Sequence, residues 1–212
     1  MTCSAACLMG LLMGCLWVMP MVKTSTPADL CKPMHTLKAS LNFTNRRQYM
    51  KHNFPINYTI RVHYEEVFRV SNISRLKAHV PGLQLGDLQE LWLLVNQEIL
   101  KKVVRVLPER HPSRRYSSNL EDLLRKVQQV FQTVRDRQHE ESEPPEQIQE
   151  IWERVWDPEA AGWKWVKPKA LLDNCYRTMH CLFSDCFQAP EQEDYCDVRH
   201  WRKGNKKQHP QA

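Results

Sequence analysis

Four amphipathic stretches separated by connections of unequal length constrain this chain more than any other feature. Leu88, Leu91, Trp92, Val95, Ile99, Val103 and Val106 recur at helical spacing. They predict a helix from Gly86-Asp87 to about Leu107, with Asp87 and Glu90 as a capping-box start and Pro108 and Pro112 as its stop. The next begins at Ser118, where Glu121 completes a Ser-x-x-Glu box. It carries Leu120, Leu123, Leu124, Val127, Phe131 and Val134 on one face, and the charged run Arg135 to Glu143 with Pro144-Pro145 closes it. Another starts at Pro168, a residue suited to a first turn, with the stripe Leu171, Leu172, Cys175, Met179, Leu182 and Phe183. The first in chain order spans Pro33 to His52 on Met34, Leu37, Leu41, Tyr49 and Met50.

The links between these helices are about 34, about 10 and about 30 residues long. A short link joins antiparallel neighbours, whereas a long one lets the chain recross the ~30 Å length of a 20-residue helix and return parallel. The long-short-long order therefore predicts an all-α protein, an up-up-down-down four-helix bundle of the kind used by growth hormones and cytokines. Each long connection also holds a segment of two-residue period, Tyr58-Thr-Ile-Arg-Val-His-Tyr and Gly162-Trp-Lys-Trp-Val-Lys. These are placed to pair as a small two-stranded β ribbon across the bundle. Ile148 to Trp156 adds a helical turn or two, and Trp152, Trp156, Trp163 and Trp165 are expected to close the open face beneath the second crossover.

Met1 to Val22 carries no charge, and its apolar run from Ala5 to Met19 reads as the core of a secretory signal peptide. A membrane anchor wants about 20 apolar residues. Gly10, Gly14 and Pro20 shorten the effective helix, and Lys23 to Pro27 form a polar exit. The expected division is a signal peptide over 1–27, with cleavage near 21–28, a helical domain over 28–198 and a basic tail over 199–212. The mature protein is then secreted and extracellular, with no membrane insertion after cleavage. Asn42-Phe-Thr, Asn57-Tyr-Thr and Asn72-Ile-Ser are glycosylation sequons that suit this route, and Asn72, read as lying in a polar loop, is the most accessible.

Signal cleavage removes Cys3, Cys7 and Cys15 and leaves five cysteines: Cys31, Cys175, Cys181, Cys186 and Cys196. An oxidising compartment favours disulfides. Any of the five can be the odd one, and the other four pair in three ways. Because one cysteine begins the mature chain and four lie near its end, a bridge between the two ends is expected, closing a loop of about 150 residues. Cys181, Cys186, Cys196 and His200 offer a weaker zinc alternative, since structural zinc uses tighter cysteine pairs than these.

Nothing in the chain has the spacing of enzymatic chemistry. There is no Gly-x-Ser-x-Gly, His-Glu-x-x-His or acidic calcium loop, and six Gly in 212 residues make a phosphate-cradling loop untenable. No cofactor is implied. The net charge of +6 gathers in part at Arg199, Arg202, Lys203, Lys206 and Lys207, which in an extracellular protein points to sulfated glycosaminoglycans and away from nucleic acid. A glycosaminoglycan-binding matrix protein is thus the alternative to a signalling ligand. The polar sides of the two central helices, Gln97, Lys101 and Arg105 on one and Arg125, Gln128 and Gln129 on the other, are candidates for a protein-binding surface.

Gln48-Tyr-Met-Lys-His, Phe54-Pro-Ile-Asn-Tyr, Val67-Phe-Arg, Leu91-Trp, His111-Pro-Ser, Val127-Gln-Gln and Pro168-Lys-Ala-Leu-Leu-Asp-Asn-Cys resemble the interleukin-34 family in order and spacing over residues 31–196. The likeness is to a member from a vertebrate distant from mammals. It implies a short-chain four-helix cytokine that forms a non-covalent homodimer and binds the macrophage colony-stimulating factor receptor, a tyrosine kinase. Receptor-type protein tyrosine phosphatase zeta and syndecan-1 with its chondroitin sulfate are implied as further partners. Asn72 falls at the family's glycosylated position. Against the family's denser cysteine cluster, Ser184 and Phe187 stand at two cysteine places and Cys181 is added. On that comparison Cys31 pairs with Cys186, Cys181 with Cys196, and Cys175 stays a free core thiol.

Overall fold

The computed structural model describes residues 28–138, 143–187 and 194–201. In chain order its helices are α1 (Ala28–Ser40), α2 (Phe43–Arg47), α3 (Val70–His79), α4 (Leu85–Val106), α5 (Pro112–Gln138), α6 (Glu146–Trp156) and α7 (Pro168–Leu182). Strands β1 (Ile60–His63) and β2 (Trp163–Val166) form one antiparallel ribbon, with Ile60 opposite Val166 and His63 opposite Trp163.

Side-chain bonds between the long helices fix their directions. The Tyr116 hydroxyl donates to the Ser40 carbonyl at 3.0 Å, and Arg137 reaches Asp29 at 3.5 Å, so α5 runs antiparallel to α1. Gln97 and Gln128, and Glu90 and Arg135, pair α4 with α5 in the same antiparallel sense. Gln89 donates to the Leu182 carbonyl at 2.8 Å and sets α7 against α4. The arrangement is up-up-down-down, an all-α bundle with a two-stranded ribbon joining its two crossovers.

Apolar stripes of the four long helices meet in one core. Trp92 is its largest member and is fully enclosed, edge-on to Phe183 at 5.2 Å. Its indole N–H donates to Thr178 Oγ1 at 2.9 Å, so the ring brings no unsatisfied donor with it. Leu88, Leu91, Val95, Ile99 and Val103 of α4 and Leu120, Leu124, Val127 and Phe131 of α5 bury the faces their spacing predicts. Each such side chain contributes about 1.5–3 kcal/mol by leaving water.

Several boundaries differ from expectation, each for a local reason. The first helix is not continuous to His52. Asn42 takes the Asn45 N–H at 2.8 Å and donates to the Ala39 carbonyl, which stops α1 and restarts the chain as α2 and a π-helical turn over Gln48–His52. In α4, Asp87 is the third residue and accepts the Gln84 N–H at 2.9 Å, so Gln84 caps the helix and the carboxylate serves from inside it. Pro112 starts α5 six residues ahead of Ser118, because a proline's missing N–H costs nothing in a first turn, and His111 Nδ1 accepts the Ser113 N–H at 3.1 Å. α6 has eleven residues where one or two turns were expected.

Candidate interaction surfaces

At the end of the bundle where α1 begins and α7 finishes, covalent bonds close the structure. Cys31 is bridged to Cys186 across 155 residues, and Cys181 to Cys196 across 15, with Cα separations of 4.9 and 4.7 Å. Cys181, Cys186 and Cys196 are thereby withdrawn from any zinc site, and no metal-ligating cluster of three or more His, Cys, Asp or Glu occurs among the described residues. Cys175 is a free thiol on the buried stripe of α7. Burial raises its pKa to about 12, opposed in part by the positive charge of Arg46, so at neutral pH it carries its proton and is a poor nucleophile.

The opposite end is built differently. Met50, Phe54, Pro55, Ile56 and Tyr58 from the first crossover face Pro168, Ala170 and Asp173 of α7 across an open hollow of about 750 Å³. Ile56 stands 90% exposed on its rim and Phe43 nearby is 59% exposed. Beneath this rim, which Lys51, His52 and Lys167 also line, the buried Arg46 bonds Asp173 at 2.9 Å, reaches the Leu41 carbonyl and lies 4.3 Å over the Tyr176 ring. Lys169 completes the group, 2.5 Å from Asp173. Three interactions on one guanidinium make it the fixed point from which α2 and the rim are held.

Along the side, the α4 and α5 residues predicted to face outward divide into two kinds. Lys101, Arg105, Arg125 and Gln129 are exposed. Lys101 pairs with Glu98 at 2.6 Å, and Arg125 with Glu121 and Asp122 at 3.1 and 3.3 Å, each pair within its own helix. Gln97 and Gln128 are half-buried and hydrogen-bonded to each other at 2.7 Å, which makes them a bridge between the helices and not part of a free surface.

The ribbon is anchored by residues that periodicity did not single out. Glu66 is buried, accepts the His63 N–H and is paired with Lys102 of α4 at 2.5 Å, while the Lys102 ammonium lies 5.0 Å from the centre of the Trp163 ring. Trp152 and Trp163 are half-buried, in keeping with the expected cover. Trp156 and Trp165, at 61% and 70% exposure, stand away from the core and close nothing. The paired acidic residues following a strand were the available signal for Glu66, but only the fold reveals its partner 36 positions on.

Beside the ribbon, Arg69, Arg75 and Lys164 share a hollow of about 300 Å³ with Tyr64, Ser71 and Asn72, and no acid lines it. Asn72 is not in a loop. It occupies the first turn of α3, where its Oδ1 accepts the Arg69 N–H at 3.0 Å. Asn42 is exposed, but its amide donates to Ala39, and Asn57 is exposed in a turn. Arg199 is exposed, while Arg202, Lys203, Lys206, Lys207 and the signal segment lie outside the described residues. No helix among the described residues is long and apolar enough to cross a membrane.

The arrangement is one of surfaces: a sealed end, an open apolar end and a charged flank on a rigid helical frame. A family model described as Interleukin 34 matches residues 24–191, which takes in all four long helices, both crossovers and the Cys31–Cys186 bridge, and the chain belongs to the interleukin 34 family of cytokines.

Proposed function

We propose that this chain is a secreted cytokine that, as a non-covalent homodimer, binds two copies of the macrophage colony-stimulating factor receptor and brings their kinase domains together. Survival, proliferation and differentiation of monocytes and macrophages would follow from that pairing. The family match supports the receptor class. The observation that carries the dimer is the open end, where Ile56 projects, 90% exposed, from the rim of the hollow. A cytokine of this kind makes and breaks no bond. Its effect is geometric, since two receptors must meet on one ligand assembly, and a twofold contact is the simplest way to present the same surface twice. The exposed Lys101, Arg105, Arg125 and Gln129 remain the candidates for receptor contact, and Asn72, Asn42 and Asn57 for glycosylation.

Purified protein added to cells bearing the receptor is expected to raise receptor tyrosine phosphorylation. The Ile56→Asp variant is expected to bind the receptor ectodomain singly and to signal weakly. Absence of ectodomain binding by the wild-type protein would overturn the reading.

A second reading, as a glycosaminoglycan-binding matrix protein, is supported by the acid-free hollow of Arg69, Arg75 and Lys164. We place this as an accessory role, through which syndecan-1 with its chondroitin sulfate, or receptor-type protein tyrosine phosphatase zeta, would hold the cytokine near cells. If removing residues 199–212 and neutralising these three cations abolished receptor phosphorylation at saturating ligand, the matrix role would be the main one.

A further inference from the structure

We propose that residues 194–201 form an acid-released strap, latched at neutral pH by the uncharged imidazole of His180. His180 is only 4% exposed on the last turns of α7, and neither ring nitrogen has a hydrogen-bond partner among the described residues. What it has instead is rings. Tyr176 and Phe187 lie 4.6 Å away, Tyr195 5.0 Å and Trp201 6.4 Å, centre to centre. Tyr195 and Trp201 belong to the strap, so the imidazole is the surface against which the strap packs. The strap is also tied to itself, with the Trp201 indole donating to the Tyr195 carbonyl at 2.9 Å.

This site accepts only the neutral ring. An imidazolium needs an acceptor for each N–H, and a buried cation needs an anion. The charged groups that bear on His180 have the wrong sign. Lys38 of α1 lies over Phe187 at 4.7 Å, Arg46 over Tyr176 at 4.3 Å, and Arg177 over Trp201 at 5.6 Å. His200 comes from the strap, and His35 of α1 meets Phe187 from the other side. Three acids of these elements are engaged elsewhere. Asp173 is shared by Arg46 and Lys169. Asp194 and Asp197 accept N–H groups of the strap's own Cys196 and Arg199. Asp185 is exposed on the single turn Ser184–Cys186.

Burial first, then the charges of Lys38, Arg46 and His200, hold the His180 pKa down to about 4, against 6.5 for an ordinary imidazole. Release restores the ordinary value. The closed strap is therefore at full strength above pH 6.5 and loses hold as pH falls from there toward 4. The open-to-closed ratio rises about twentyfold between pH 7 and pH 5. The Cys181–Cys196 bridge sits beside His180 and survives acid, so the strap swings out on a covalent tether. The movement uncovers His180 and the Tyr176 ring, which Trp201 meets at 6.4 Å, a face covered at the neutral pH of the extracellular fluid and presented in acidified compartments. This device is independent of which receptor the protein uses.

Hydrogen exchange on the intact, oxidised protein tests it, with rates corrected for the intrinsic pH dependence of exchange. Protection of residues 194–201 is expected to fall about twentyfold from pH 7 to pH 5 while that of α4 and α5 holds. The His180→Phe variant keeps the rings and removes the titration, and its strap is expected to stay protected at both values. His200→Gln is expected to open like the wild type. Should His180→Phe be too poorly folded to measure, NMR titration of the wild-type His180 ring serves, with a midpoint below 5 expected. A midpoint near 6.5, strap protection that does not change with pH, or a response abolished by His200→Gln would each overturn the proposal.

Discussion

The two ends of the bundle solve the same problem by different chemistry. Both must hold α1 and α7 together where the helices stop. One uses a disulfide between Cys31 and Cys186, the other a buried guanidinium between Asp173, Leu41 and Tyr176. The covalent end can be fully closed and is finished with aromatic packing. The non-covalent end depends on one well-coordinated charge and leaves an apolar rim in water, from which Ile56 projects. Sealing is thus concentrated away from the surface proposed to meet a second copy, and the open end is held from beneath.

The largest test of this contrast is at the sealed end. Replacing Cys31 and Cys186 by Ser is expected to lower stability by about 4 kcal/mol, since the bridge closes most of the chain. Urea unfolding of the two forms checks it, and a loss below about 1 kcal/mol would mean that the rings around His180 close this end without the bond. Next in size, Arg46→Ala is expected to cost about 3 kcal/mol, because Asp173 is left half-buried beside Lys169 alone. If that substitution were neutral, the open end would be held by the π-helical turn and not by the charge.

Ile56→Asp is expected to change stability by less than about 0.5 kcal/mol, as for an exposed position. Sedimentation should nonetheless show the solution mass fall to that of one chain. An unchanged mass would place the dimer contact elsewhere. The smallest effect concerns Cys175. Its thiol, with a pKa near 12, is expected not to react with a thiol reagent at pH 8 in the native protein and to react once the protein is unfolded. Fast labelling of the folded form would mean that the core between the two ends opens readily.

Legibility followed the range of the interactions. The order and direction of the four helices could be read because apolar spacing reports a buried face, and link length reports whether the next helix can return parallel. The ribbon was legible for the same reason, as its alternation is local. Helix ends were read less well, since they depend on which of several polar residues wins a cap. Asn42 breaks a stripe that Leu41 and Met50 would otherwise continue, and Pro112 looks the same as a stop or a start. Asn72 looked like loop because its neighbours are polar, yet Val70 and Ile73 bury one turn of α3 beneath it. Of the two ends, the covalent one was legible from the placing of its cysteines, and the open one was not. Arg46 has no local pattern, its value coming from Asp173, 127 positions away. Gln97 and Gln128 have the spacing of a solvated face and differ from it only in having each other.

The ribbon also has a kinetic meaning. Its strands come one from each crossover, with Ile60 against Val166 and His63 against Trp163, so it cannot form before the chain has returned across about 100 residues. The α4–α5 hairpin, by contrast, needs only the short stretch from Leu107 to His111 to close. Contacts of low sequence separation form early and distant ones late. The order of events is then a central hairpin that nucleates, outer helices that dock on it, and a ribbon that ties the finished crossovers. Strand substitutions such as Val62→Ala should leave the folding rate almost untouched and speed unfolding instead.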